Sequence, residues 1–313
     1  PGHQQTVSTH CKSLILIMIL TGIADEAGAL IDTQIKAVKE LGWNTIEART
    51  VEVEGFPKGN LHDIPDEAFD IVEKKLKDSG VGVYCFGSTI ANWGKKIDEP
   101  FDLSEVERAI PRMQRLGTKY VRIMSYAVRE GEDQMEEERF RRLREITNRF
   151  VDAGLQPVHE NCMNYGGMSW QHALKLMENV PGLKWVFDTA NPVFNDDRSK
   201  PAPQPKQDPW EFWTHVKDQS IHIHVKDAIW KPEKNDADYT LPGDGDGAVH
   251  RILKDALSSG YDAGISIEPH LAVVFHDDSV SASDQEIYDS FVNYGRKLME
   301  LIEKIQAEIK AGA

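Results

Sequence analysis

Three carboxylates and an imidazole fall at the ends of short apolar runs. Glu160 closes LQPVHE, Asp188 closes KWVFD, His224 sits in IHIHVKD, and Glu268 closes ISIE. Side chains alternate across a strand, so His222, His224 and Lys226 share one face while Ile221, Ile223 and Val225 share the other. The apolar face must meet covering helices, which sends the polar face inward. The same parity places Val158 with Glu160, Val186 with Asp188, and Ser266 with Glu268. Three like charges gathered away from water are strongly unfavourable unless a cation neutralises them. The pattern therefore points to one divalent ion held by Glu160, Asp188, His224 and Glu268. Mixed oxygen and nitrogen donors suit Mn²⁺, Mg²⁺ or Co²⁺ and tolerate Zn²⁺; Mn²⁺ is preferred. Singly, each acid has an ordinary reading as a helix cap or ion-pair partner, and each histidine as a packed core group. Four such groups on consecutive strands favour the metal. His222, one step deeper, suits packing or support.

These residues need a scaffold that brings strand ends together. Short β-rich runs alternate with amphipathic stretches along the chain, the pattern of βα units and a parallel sheet. Eight candidate strands are legible: Leu14 to Leu20, Trp43 to Ala48, Val81 to Phe86, Tyr120 to Met124, Leu155 to Glu160, Lys184 to Asp188, Ile221 to Lys226, and Gly264 to Glu268. Between them lie helical segments such as DEAFDIVEKKLKDSG and AVHRILKDALSSG, closed by glycine. No GxGxxG follows the first strand, so an open dinucleotide-binding sheet is disfavoured. The expected architecture is α/β, a single (β/α)8 TIM barrel over residues 14–313. Residues 1–13, polar and without pattern, read as a disordered or tag-derived segment, with Met18 a candidate natural start. Two connections, Asn191 to Gln207 and Ala228 to Gly247, are long enough to be binding loops or lids. Both leave strand C-terminal ends, where barrel active sites are built.

A formal charge of −15 over 313 residues would repel a phosphate backbone, which argues against nucleic acid as a partner. Three cysteines, Cys11, Cys85 and Cys162, form no paired framework and fit a reducing, cytoplasmic setting. The apolar run from Leu14 to Leu20 is too short to span a bilayer, so no membrane is expected; with Lys12 as a basic flank a signal peptide is the alternative reading, against which no small-residue cleavage site follows the run.

At GIADEAG, HENCMNYGGMS, VFDTANP, IHIHVKDA and ISIEPH, in that order, the chain resembles the xylose isomerase-like barrel superfamily of sugar isomerases and epimerases. This group also holds inosose dehydratase, hydroxypyruvate isomerase and endonuclease IV. The resemblance spans Met18 to the C-terminus. It implies metal ligands at Glu160, Asp188, His224 and Glu268, and proton exchange with a sugar by Glu160 and Glu268. The ketose epimerases of the group carry a histidine three residues after the metal-binding aspartate, where this chain has Asn191. The histidines that an endonuclease IV zinc cluster needs are missing from the early strand ends.

The expected chemistry is metal-dependent isomerisation or epimerisation of a non-phosphorylated keto-sugar or cyclitol. A Lewis acid would stabilise an enediolate while one glutamate removes a proton and the other returns one. Loss of oxygen from the same intermediate would make the enzyme a lyase or dehydratase, acting on an inosose or keto-glycoside. A sugar-binding barrel without turnover is the third reading. Lys226, Asn191, His270 and Asn161 are candidate substrate-binding groups, each with an alternative as ion-pair partner, turn former or solvated rim residue. Trp93 and Trp230 could stack on a sugar ring or simply pack. Asn164 shares the ENCMN turn with Asn161. Asp25 and Glu26 close the first strand and Glu47 the second, where helix capping ranks ahead of pocket lining. No P-loop and no arginine cluster at the rim is apparent, hence the preference for an uncharged substrate. The amphipathic C-terminal stretch SDQEIYDSFVNYGRKLMELIEKIQAEIK could cover its own barrel or a second copy, which admits a homo-oligomer.

Overall fold

The structure, a computed structural model, describes residues 18–131, 133–272 and 282–312. Eight strands form its central sheet: β1 (Ile19–Gly22), β2 (Thr45–Ala48), β3 (Gly82–Gly87), β4 (Tyr120–Ile123), β5 (Gln156–Glu160), β6 (Lys184–Asp188), β7 (Ser220–Val225) and β8 (Gly264–Ile267). All neighbouring pairs are parallel, running from β2 through β8 and back to β1. Closure between β1 and β2 comes from an Ile23–Glu47 bridge and a 2.9 Å hydrogen bond from Thr21 Oγ1 to the Thr45 carbonyl. The result is a nearly closed (β/α)8 barrel.

Around it lie α1 (Ile31–Glu40), α2 (Asp66–Ser79), α3 (Ser104–Leu116), α4 (Glu136–Asp152), α5 (Trp170–Asn179), α6 (Pro209–Val216), α7 (Val249–Ser258) and α8 (Asp284–Gly312). Gly80 and Gly117 end α2 and α3 in the left-handed conformation, at φ +70° and +66°, which spares a side chain the steric cost of that turn. Outward side chains of the strands, among them Phe187, Ile223, Val225 and Ile267, join Phe212, Phe291 and Leu298 of the helices in the main apolar core. A smaller cluster of Tyr84, Cys85, Val158 and Val186 plugs the barrel floor. Gly264 is required there: a Cβ at this position would lie 2.3 Å from the Tyr84 ring.

Of the expected strand Leu14 to Leu20, the described part starts its pairing with β8 where Ile19 meets Gly264; residues 14–17 and the 1–13 segment lie outside the described residues. Two expectations shift. Asp25 and Glu26 sit in a helical turn, Ala24–Glu26, beyond the strand. Ile221 packs against the floor cluster instead of the helices, while Ile223 and Val225 face outward as the alternation requires.

The long connections are structured. Asn191–Phe194 forms one helical turn, and an Asp196–Lys206 bridge pins the chain beyond that turn. Residues Asp227–Lys231 and Asp236–Thr240 pair as an antiparallel hairpin. The PGDGDG run then wraps the Asp227 carboxylate, which accepts from the backbone amides of Gly243 (2.8 Å), Gly245 (3.0 Å), Gly247 (2.8 Å) and Ala228 (3.0 Å). A Cβ on Gly245 would fall 2.4 Å from Asp227 Oδ1, so glycine permits the approach.

Candidate active site

Glu160 and Asp188 end β5 and β6, His224 is the penultimate residue of β7, and Glu268 follows β8 directly. All four are buried, and each offers a ligand atom within 4.8 Å of the others. Asp188 Oδ1 accepts from the Ala190 (2.9 Å) and Asn191 (2.7 Å) amides, which aims the carboxylate and leaves Oδ2 without a hydrogen bond. Lys226 Nζ lies 3.2 Å from that oxygen, a charge contact whose alignment is not that of a hydrogen bond. The second atom in the cluster without a hydrogen bond is His224 Nδ1, 3.7 Å from Glu160 Oε1. Buried polar atoms seldom go without partners, and two in one group of ligand-type residues is the feature a cation would satisfy. Burial pushes the Asp188 carboxyl up to about 7, with Glu268 and Glu160 adding to the rise against Lys226. The donor set thus suits a divalent metal in number, chemistry and charge.

Glu47, at the inward position of β2, organises the imidazoles. Its carboxylate lies 2.8 Å from His222 Nε2 and 3.0 Å, through each oxygen, from His224 Nε2. His222 Nδ1 faces the Gly264 carbonyl at 3.0 Å, so this nitrogen carries a proton. Burial opposes charge on His224, but Glu47 and Glu160 outweigh it and hold the ring up at about 10. With Nε2–H donated to Glu47, the Nδ1 proton is the one a bound cation would displace, and its loss would turn that lone pair to the cluster, the arrangement by which a carboxylate orients a ligating histidine. Capping, the first reading of Glu47, is thereby corrected: the residue is fully buried across the barrel from β7.

Cations support both glutamates. Arg122 Nη1 donates to Glu160 Oε2 at 2.9 Å, and Asn191 Nδ2 to Glu160 Oε1 at 3.0 Å. Burial would raise the Glu160 carboxyl, yet Arg122 foremost brings it down to about 2. Glu268 receives Arg49 Nη1 on one oxygen and Lys226 Nζ on the other, each at 2.9 Å. Arg49 also forks onto Asp25, at 2.9 Å through both Nε and Nη2. Two arginines therefore face a pocket where the sequence shows no arginine cluster. Arg122 is within reach of the parity rule, as the inward residue between Val121 and Ile123; Arg49 lies past the end of β2 and carries no such signal.

The other candidates divide. Asn191, Lys226, His270 and Trp93 line a cavity of about 210 Å³ together with Glu160 and Glu268. His270, at φ +52°, is tied to Glu26 by its backbone amide and its Nδ1, both at 2.8 Å. Asn161 does not line it: its side chain exchanges two hydrogen bonds with the Asp188 backbone, at 2.9 and 2.8 Å, and so fixes the ligand strand. Trp230 is also outside, packed in the hairpin cluster with Lys206 Nζ 3.9 Å above its ring. Asn164 accepts from Ser125 Oγ at 2.6 Å and caps a turn.

The model of a family described as xylose isomerase-like TIM barrel matches residues 35–302. No curated protein matches the chain in sequence. Solved structures do resemble it in fold. A D-tagatose 3-epimerase-like protein aligns at 15% identity and TM-score 0.67 over 93% of this chain and 100% of its own. A xylose isomerase-like TIM barrel protein from Mycobacterium smegmatis, in complex with magnesium, aligns at 16% identity and TM-score 0.61 over 92% and 98%. The probable 3-DHS dehydratase AsbF from Bacillus anthracis aligns at 15% identity and TM-score 0.63 over 90% and 98%.

Proposed function

The chain belongs to the xylose isomerase-like TIM barrel family, and from that premise we propose that it is a divalent-metal-dependent isomerase or epimerase of a small, non-phosphorylated keto-sugar or cyclitol. The observation that carries this reading is the group Glu160, Asp188, His224 and Glu268, with two buried ligand atoms lacking hydrogen bonds. A divalent ion there would supply Lewis-acid stabilisation of charge developing on substrate oxygen. Mn²⁺ is our preferred occupant; magnesium in the Mycobacterium relative supports the class of ion.

Glu160 and Glu268 enter from strands separated by β6 and β7, so a substrate lying over the cluster meets a carboxylate on either side. One removes the proton next to the carbonyl, and the other delivers a proton to the opposite face. Arg122 and Asn191 restrict the Glu160 carboxylate to one orientation, and Arg49 with Lys226 does the same for Glu268. The buried Lys226 ammonium also brings positive charge to the cavity, where it favours an enolate oxygen. Arg49 and Arg122 are committed to carboxylates, so their presence does not make the pocket a phosphate site. At about 210 Å³ the cavity is smaller than the roughly 300–1,000 Å³ of drug-sized ligand sites, which suits a small polyol.

Asn191 favours a second reading. Its amide donates to Glu160 where the epimerase pattern has a titratable histidine, so elimination of water or an aglycone from the same enediolate is the alternative. Metal analysis of wild type and Glu268→Gln, followed by incubation with ketoses, inososes and 3-keto-glycosides in D₂O, tests the proposal. Expected are about one ion per wild-type chain, much less in the variant, and deuterium at carbon in a stereoisomer. An eliminated product would select the lyase; failure to take up metal under any loading condition would overturn both.

A further inference from the structure

A second cavity, of about 350 Å³, lies beside the first, and Trp93, Cys162, Met163 and Phe194 line both. Beyond this shared wall the lining changes character. The first cavity presents the charged Arg49, Arg122, Glu160, Lys226 and Glu268; the second presents Ala127, Val128 and Met168 beside Asn164 and Asn195, with its charged groups, Asp196 and Arg198, exposed at its edge. Among the described residues the exposed large apolar side chains are Leu30, Trp93, Val151 and Met163, the second and fourth at 42% and 40%. Two of these four stand in the shared wall. Large apolar groups left in water beside a polar site mark ligand contact.

We infer that the substrate has two parts, a keto-sugar or polyol in the charged cavity and an apolar, ring-bearing substituent attached to it in the neighbouring one. The inference rests on the sugar reading above and adds the substituent. A bare monosaccharide over the ligand cluster would leave Trp93 and Met163 facing solvent. An aryl group meets the indole face and the polarizable thioethers that such a wall offers. A second sugar, rich in hydroxyls, would find its partners only towards the edge, in Asn195, Asp196 and Arg198, since Asn164 Oδ1 already accepts from Ser125 and Gly166.

The test compares three probes on the metal-loaded full chain: 3-keto-D-glucose, its 4-nitrophenyl β-glycoside, and the 3-keto-disaccharide in which glucose replaces the aryl group. KM is read from deuterium incorporation or product release. The aryl glycoside should show KM about tenfold below that of the bare keto-sugar. Val128→Trp, which fills the second cavity, should bring the ratio of the two constants to about one. Equal constants in the wild type, with turnover intact, would overturn the two-part cleft and leave the sugar chemistry standing. A disaccharide preferred over the aryl glycoside would overturn the apolar assignment. Absence of turnover with all three would overturn this inference together with the reading beneath it.

Discussion

Glu47 does not line the cavity beside the cluster, yet it is the group that orients His224. Replacing Glu47 with Gln keeps the shape but weakens the acceptor that orients the imidazole. Metal affinity should fall about 10–100-fold, read by titration with a competing chelator, with circular dichroism unchanged. A second carboxylate of structural weight is Glu105, at the start of α3. It accepts from Thr89 Oγ1 at 2.5 Å, pairs with Lys95, and meets the buried His62 at 3.2 Å. Burial raises its carboxyl, but the His62, Lys95 and Thr89 contacts bring it down to about 2. A carboxylate depressed in the folded state stabilises fully above its unfolded value of about 4.5, and that contribution disappears as pH falls towards 2. Glu105→Gln should therefore cost about 1–2 kcal/mol at neutral pH, with the gap to wild type closing between pH about 5 and about 2 in urea unfolding. The four ligand-type residues could be read from the chain because each ends an apolar run; their supports, Glu47, Arg49 and Arg122, could not be ranked because they matter only through partners distant in sequence, up to 219 residues for Arg49 and Glu268.

At the scale of elements, alternation explains what was legible. Seven of the eight strands overlap their expected spans closely, since inward and outward faces differ in polarity; for β1 the described part meets the expected span at Ile19 and Leu20 and runs on to Gly22, where pairing with β8 continues. The floor was hidden, because nothing local tells that Tyr84 crosses the barrel to lie under Gly264. Gly264→Ala should destabilise by about 1–3 kcal/mol in chemical denaturation, as overpacking does. Tyr84→Leu in the same chain should recover part of that loss, a non-additive pair that a mere β-propensity effect of alanine would not produce. Asn161 shows why composition misled: an amide beside a ligand suggested hydroxyl binding, but parallel pairing of β5 with β6 turns it onto the Asp188 backbone.

For the whole molecule, the candidate ligand cluster joins β5, β6, β7 and β8, half of the barrel's strands, and is assembled only when those strands are paired. A bound cation should therefore stabilise the whole fold. At a free metal concentration about a hundred times Kd, thermal unfolding should shift upward by the equivalent of about 2.7 kcal/mol and return with EDTA; Glu268→Gln should show a much smaller shift. No helix among the described residues is long and apolar enough to cross a membrane. The rim, in terms of motion, has a fixed side. Residues 243–247 give three amides to the carboxylate of Asp227, two residues past the end of β7, which ties this stretch to the strand that carries His224. That side of the rim is tied to the candidate cluster, whereas on the opposite arc, beyond β3, Trp93 stands in solvent.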